Sequence, residues 1–156
     1  AAAAASADAL ARLRVRAVVN AAVADGHGPP AHLGGRAYLA VDLLDADCEA
    51  PLCRLTAAQH ANVSAFLSRE LAVGAAAGET VLVHCQKGLS RSAALVLGHL
   101  VLAEGRSLAS AAALLADRHP RARPNHGLMR GLLDLEWQAT GRETLRREDF
   151  PAPVLL

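Results

Sequence analysis

The chain has 156 residues, with 16 lysines and arginines against 15 aspartates and glutamates and a formal net charge of +1. That balance excludes the broad basic field by which proteins hold nucleic acid or an anionic membrane surface. Apolar residues make up 53% of the sequence and aromatics only 3%, so the expectation is one domain with alanine-rich helices over a leucine and valine core, and no apolar run reaches transmembrane length.

Residues 1–13 predict a short helix, with Ser6 as its cap ahead of Ala9, Leu10 and Leu13. The alternation from Val15 to Ala21 predicts a strand. Residues 25–35 are rich in Gly, Pro and His without apolar period, which predicts a loop; His27 and His32 lack a partner set for a metal. Arg36 to Val41 reads as the next strand, delivering Asp42, Asp45 and Asp47 to a loop that also carries Cys48 and Cys53. With His60 these thiols make an incomplete zinc set, since structural sites are closed and four-coordinate. Ordinary thiols are expected, with disulfide formation to each other or to Cys85 as the alternative. Three cysteines in all suit a reducing compartment such as the cytoplasm better than a disulfide framework. Thr56 to Gln59 reads as a capping box, and Val63, Phe66, Leu67 and Leu71 recur behind it at helical spacing until Gly74 to Gly78.

Glu79 to Val83 is apolar enough to be buried on both faces, as the central strand of a mostly parallel sheet. It leads directly into His84-Cys85-Gln86-Lys87-Gly88-Leu89-Ser90-Arg91-Ser92 and then into a helical pattern. A loop of backbone N–H groups closing onto a helix N-terminus makes an anion cradle, and phosphate is its natural guest. The same field lowers the pKa of a thiol, which makes Cys85 a nucleophilic thiolate. Arg91 offers a planar fork for two phosphoryl oxygens. Gly88 lets the backbone turn inward, Ser92 can hydrogen-bond the sulfur as it leaves, and His84 is expected to buttress the loop.

Beyond it, Ala93 to Ala103 is apolar nearly all round and predicts a buried helix, with His99 a core or boundary histidine; Gly105 closes it. Ser107 starts another helix with Leu108, Ala111, Ala112 and Leu115 on one face. Arg118, Arg121 and Arg123 lie in the segment that follows and read as a solvated basic loop, with contact to acidic substrate groups as the alternative. Leu128, Leu132, Leu135 and Ala139 line a last helix stopped at Gly141, with Trp137 expected to pack. The division expected is a catalytic domain over 1–141 and a poorly ordered tail over 142–156.

The run from His84 to Ser92 resembles the signature loop of cysteine-dependent protein phosphatases, specifically of the dual-specificity branch. Val-Val-Asn-Ala-Ala at residues 18–22 is similar to an early strand of that family, and Pro124-Asn125-His126-Gly127 to a segment that lies against its phosphate loop. The resemblance implies a central, mostly parallel sheet flanked by helices, with a further strand ahead of the first helix where this sequence has alanines. It places a general acid seven residues after an aromatic that opens the second strand, which from Tyr38 gives Asp45; Asp47 and Asp42 are the alternatives. It makes Cys85 the nucleophile, Arg91 and the backbone of Gln86, Lys87, Gly88, Leu89 and Ser90 the phosphate cradle, Ser92 the hydroxyl that helps the sulfur leave, and Asn125 a tether. The activity implied is removal of phosphate from phosphotyrosine, phosphoserine and phosphothreonine in proteins through a phosphocysteine, by a monomer, with no metal or organic cofactor. A phosphoinositide, glucan or RNA 5′-phosphate substrate, or a catalytically silent phosphate-binding module, are the competing readings.

Overall fold

Three short parallel strands carry the architecture of the computed structural model, which describes residues 6–29, 33–46 and 54–146. They are β1 (Val15–Asn20), β2 (Ala37–Ala40) and β3 (Thr80–His84), in the order β2-β1-β3. Val18 is opposite Tyr38 on one side and Leu82 on the other, and Asn20 is opposite Ala40 and His84. The carboxyl ends of all three strands therefore come out together, where ligands of open parallel sheets bind. Among the described residues the middle strand is β1, and β3, expected to be central, lies on the edge. With a neighbour on one side only, Val81, Leu82 and Val83 are half-buried, whereas β1 is buried at every residue but Arg16.

The two faces of β1, with a register irregularity between Val15 and Ala17, serve two apolar layers. Val15 and Val18 pack with Leu10 of α1 (Ala7–Arg12), while Ala17 and Val19 face the main core. That core is closed by α2 (Ala57–Ala75), α3 (Arg91–Glu104), α4 (Leu108–Arg118) and α5 (His126–Thr140), with α3 touching the other three. Local chemistry starts these helices. Ser6, Ser107 and Asn125 each accept a backbone N–H at their caps, and Thr56 and Gln59 form both arms of a capping box.

Three expectations need revising. Trp137, expected to pack, is 58% exposed, and Leu71, placed on the buried face of its helix, is also exposed. The chain after Gly141 folds back as far as it is described: Thr144 donates through its backbone N–H and hydroxyl to Glu136. The remainder of the expected tail, residues 147–156, and the alanines 1–5 lie outside the described residues, as do Asp47, Cys48, Cys53 and His32.

Candidate active site

Cys85 follows the last residue of β3 and Arg91 opens α3, so the strand-to-helix reversal holds both at the carboxyl end of the sheet. Gly88 makes the turn with φ of +74°, a left-handed backbone that disfavours a side chain, and its N–H donates to Cys85 Sγ at 3.2 Å. Ser92 Oγ lies 3.4 Å from the same sulfur, on the first turn of α3. Burial alone pushes the Cys85 thiol up; hydrogen bonds from the Ser92 hydroxyl and from the backbone of Ser92, Gly88 and Ser90 outweigh it, and the pKa lies below the ordinary thiol value. The hydrogen bonds around the sulfur carry the lowering.

The Arg91 charge is spoken for. Its side chain is 1% exposed; Nη2 donates to Asp25 Oδ2 at 2.6 Å and Nη1 to the Leu43 carbonyl at 3.3 Å. Arg91 Nε is buried without a hydrogen-bond partner, its nearest carboxylate oxygen being Asp45 Oδ2 at 3.7 Å. Asp45 Oδ1 in turn accepts from the Ser90 hydroxyl at 2.6 Å and from Asn125 Nδ2 at 3.0 Å. Among the described residues Asp45 is thus the carboxylate of its segment that reaches the loop.

Two further segments brace the loop from behind. His119 Nε2 contacts the Gly88 carbonyl at 2.9 Å, and because a carbonyl only accepts, that nitrogen carries the proton. The Arg123 N–H donates to the Leu89 carbonyl at 2.7 Å and the Asn125 N–H to Ser90 Oγ at 3.2 Å. Gln86 and Lys87 are exposed on the rim. His84 buttresses the loop in a different way from that expected: both ring nitrogens are buried without a hydrogen-bond partner, burial lowers its pKa against a weaker opposing interaction with the Cys85 backbone, and its own carbonyl accepts the Ala21 N–H at 2.8 Å.

Of the residues named from sequence, Cys85, Gly88, Ser90, Arg91, Ser92, Asp45 and Asn125 meet here. Asp25 and His119 were assigned no role from sequence, although the resemblance places the segments that carry them beside the phosphate loop. A further hint of Asp25 was its position shortly after a strand ending in asparagine. Among the described residues no cluster of three or more His, Cys, Asp or Glu side chains offers a metal site, and no helix is long and apolar enough to cross a membrane.

A family model described as the dual specificity phosphatase catalytic domain matches residues 1–138. Dual specificity protein phosphatase 18 of mouse is 32% identical over 114 residues, 73% of this chain and 56% of its own length. A probable dual specificity protein phosphatase of Dictyostelium discoideum is 39% identical over 71 residues, 46% of this chain and 26% of its own. The chain therefore spans well under two thirds of these relatives. Among solved structures, human DUSP28 aligns with a TM-score of 0.70 at 30% identity, over 87% of this chain and 84% of that one. A mouse putative dual specificity phosphatase complexed with zinc tungstate aligns at 0.71 and 25% identity, over 88% and 79%.

Proposed function

The chain belongs to the dual-specificity phosphatase family, and we propose that it hydrolyses phosphate monoesters on tyrosine, serine and threonine side chains of proteins through a phosphocysteine. The observation that carries this reading is the sulfur itself: a buried thiol with its pKa held down by hydrogen bonds, on the loop that leads into a buried arginine with an unpartnered Nε. Cys85 Sγ attacks phosphorus as the ester P–O bond breaks, and the leaving oxygen takes a proton from Asp45. Asp45 Oδ1 already accepts two hydrogen bonds, which leaves Oδ2 as the oxygen to carry that proton. In the second step water attacks phosphorus and gives a proton to Asp45, the S–P bond breaks, and inorganic phosphate departs while the Ser92 hydroxyl stabilises the returning thiolate. Arg91 and the backbone of residues 86–91 hold the equatorial oxygens in both steps. Asn125 orients Asp45. The tungstate complex of the mouse relative supports a tetrahedral oxyanion as guest, and the rim of Gln86 and Lys87 suits an extended protein substrate reached from solvent.

Turnover of para-nitrophenyl phosphate and of phosphotyrosine and phosphothreonine peptides tests this reading. Cys85→Ser is expected to abolish turnover while inorganic phosphate still binds; residual turnover assigns the nucleophile elsewhere. Asp45→Asn is expected to slow alkyl phosphates about 10²-fold or more and aryl phosphates with good leaving groups far less. Iodoacetamide should alkylate Cys85 at pH values where an ordinary thiol is protonated, and vanadate should block it. Faster turnover of inositide, glucan or RNA 5′-phosphates than of the peptides moves the substrate out of the protein class.

A further inference from the structure

We propose that Asp25 is a positioning residue that aims Arg91 at the phosphoryl group, and that the buried Asn20 is built to hold Asp25 there. The proposal rests on the phosphate reading of the loop. Asn20 ends β1 fully buried, with every polar atom of its side chain in use. Its Oδ1 accepts the Ala22 N–H at 2.8 Å, and its Nδ2 donates to the His27 carbonyl and the Tyr38 hydroxyl, both at 2.8 Å. Between those anchors the chain makes one tight turn, Val23–Asp25, closed by Gly26 at φ +80° with its N–H on the Val23 carbonyl. An asparagine clamped at both ends of a turn fixes what the turn presents, and this one presents Asp25.

The carboxylate so presented meets the Arg91 guanidinium. Arg91 has five N–H groups; Asp25 takes one on Nη2 by the short, charge-assisted bond, Leu43 takes one on Nη1 by a long one, and Nε is open. Arg91 Nε already pairs loosely with Asp45 Oδ2 at 3.7 Å; without Asp25 the fork keeps only that pair and the 3.3 Å bond to Leu43, and Asp45 draws it in further. The group that should bind phosphate would then close onto the group that should donate the proton. Asp25, on Nη2 at 2.6 Å, is the stronger of the two holds and keeps the Asp45 pair loose. An anion beside a phosphate site also repels its guest, so the sign of the effect decides between an aiming residue and a competing one.

The experiment uses the 156-residue chain with Asp25→Ala and Asp25→Asn. Vanadate affinity is read from protection of Cys85 against iodoacetamide, which needs no turnover, alongside kcat and KM for para-nitrophenyl phosphate and the melting temperature. Asp25→Ala is expected to weaken vanadate binding about 10-fold or more and to lower kcat with it, while Asp25→Asn, which keeps an acceptor, recovers part of both; the rate of Cys85 alkylation without anion stays as in the parent. Vanadate binding that is unchanged or tighter in Asp25→Ala overturns the proposal. A parent chain that binds vanadate but turns nothing over defeats the reaction, not the aiming of Arg91, because the protection assay still returns one of those two answers.

Discussion

Among the described residues two charged side chains are fully buried, Arg91 on α3 and Glu136 on α5, and they are treated in opposite ways. Both oxygens of Glu136 are engaged. Its Oε1 accepts the Leu108 N–H at 2.7 Å and the Thr144 hydroxyl at 2.7 Å, and its Oε2 accepts the Thr144 N–H at 2.9 Å. One of those donors is an otherwise orphaned N–H at the start of α4, where a carboxylate also complements the helix dipole. Arg91 is held by one short bond and one long one, with Nε left open inside the protein. Burying an ion is tolerable only when its hydrogen-bonding capacity is met. A buried ion that is met throughout is a strut, and one with capacity left over is waiting for a ligand.

The difference is sharpest in how substitution acts. Arg91→Lys keeps the charge but loses the planar fork, and turnover of para-nitrophenyl phosphate is expected to fall about 10³-fold, or 4 kcal/mol of transition-state stabilisation. Circular dichroism should show the fold retained. A kcat within a few-fold of the parent would break the comparison at its catalytic end. Glu136→Ala is expected to do the reverse: urea unfolding should show a loss of about 3 kcal/mol, since a backbone N–H at the head of α4 and both donors of Thr144 lose their acceptor. Turnover per folded molecule should stay within about two-fold, the usual scatter for a site not touched by a distant change. If activity falls with stability intact, Glu136 is no strut.

What could be read in advance follows the same division between local and distant. The caps at Ser6, Thr56 and Ser107 were legible because a cap is chemistry between residues three apart. The loop from His84 to Ser92 was legible because nucleophile, glycine and arginine lie on one short stretch. Asp25 lies 66 residues from Arg91 and Leu43 lies 48 away, and no periodicity encodes such a meeting. The edge position of β3 was hidden for a related reason: an apolar strand reads as central whether its second neighbour is a strand or not. Trp137 was misread because large apolar residues are taken for core by default, whereas isolated exposed ones are ordinary.

Gly98 extends the comparison to a residue whose role is to be absent. It faces α2, and a Cβ there would come within 2.2 Å of His60 Nδ1 and 2.7 Å of His60 Cε1. A glycine inside a helix is ordinarily a weak point; this one is the space that lets the His60 ring lie against α3. Gly98→Ala is therefore expected to cost stability, by about 2–3 kcal/mol, although alanine is the better helix former. A stabilised Gly98→Ala protein would mean that the ring moves aside freely.

His60 itself is a third way to bury an ionisable group, by discharging it. The ring is 2% exposed and burial lowers its pKa to about 4. In the unfolded chain it titrates near the ordinary value of about 6.5. Below that pH the unfolded state binds a proton that the folded state refuses, so the stability is complete above about 6.5 and is lost as pH falls toward 4. Between pH 7 and pH 5 this amounts to about 2 kcal/mol. Burial lowers His84 and His99 in the same direction, so the parent's pH profile alone cannot isolate His60. His60→Gln removes the titration and leaves the others, and the gap in unfolding free energy between it and the parent should shrink by about 2 kcal/mol from pH 7 to pH 5. A gap that does not change with pH means that the ring takes up its proton inside the fold, and that burial at the α2–α3 contact does not enforce neutrality.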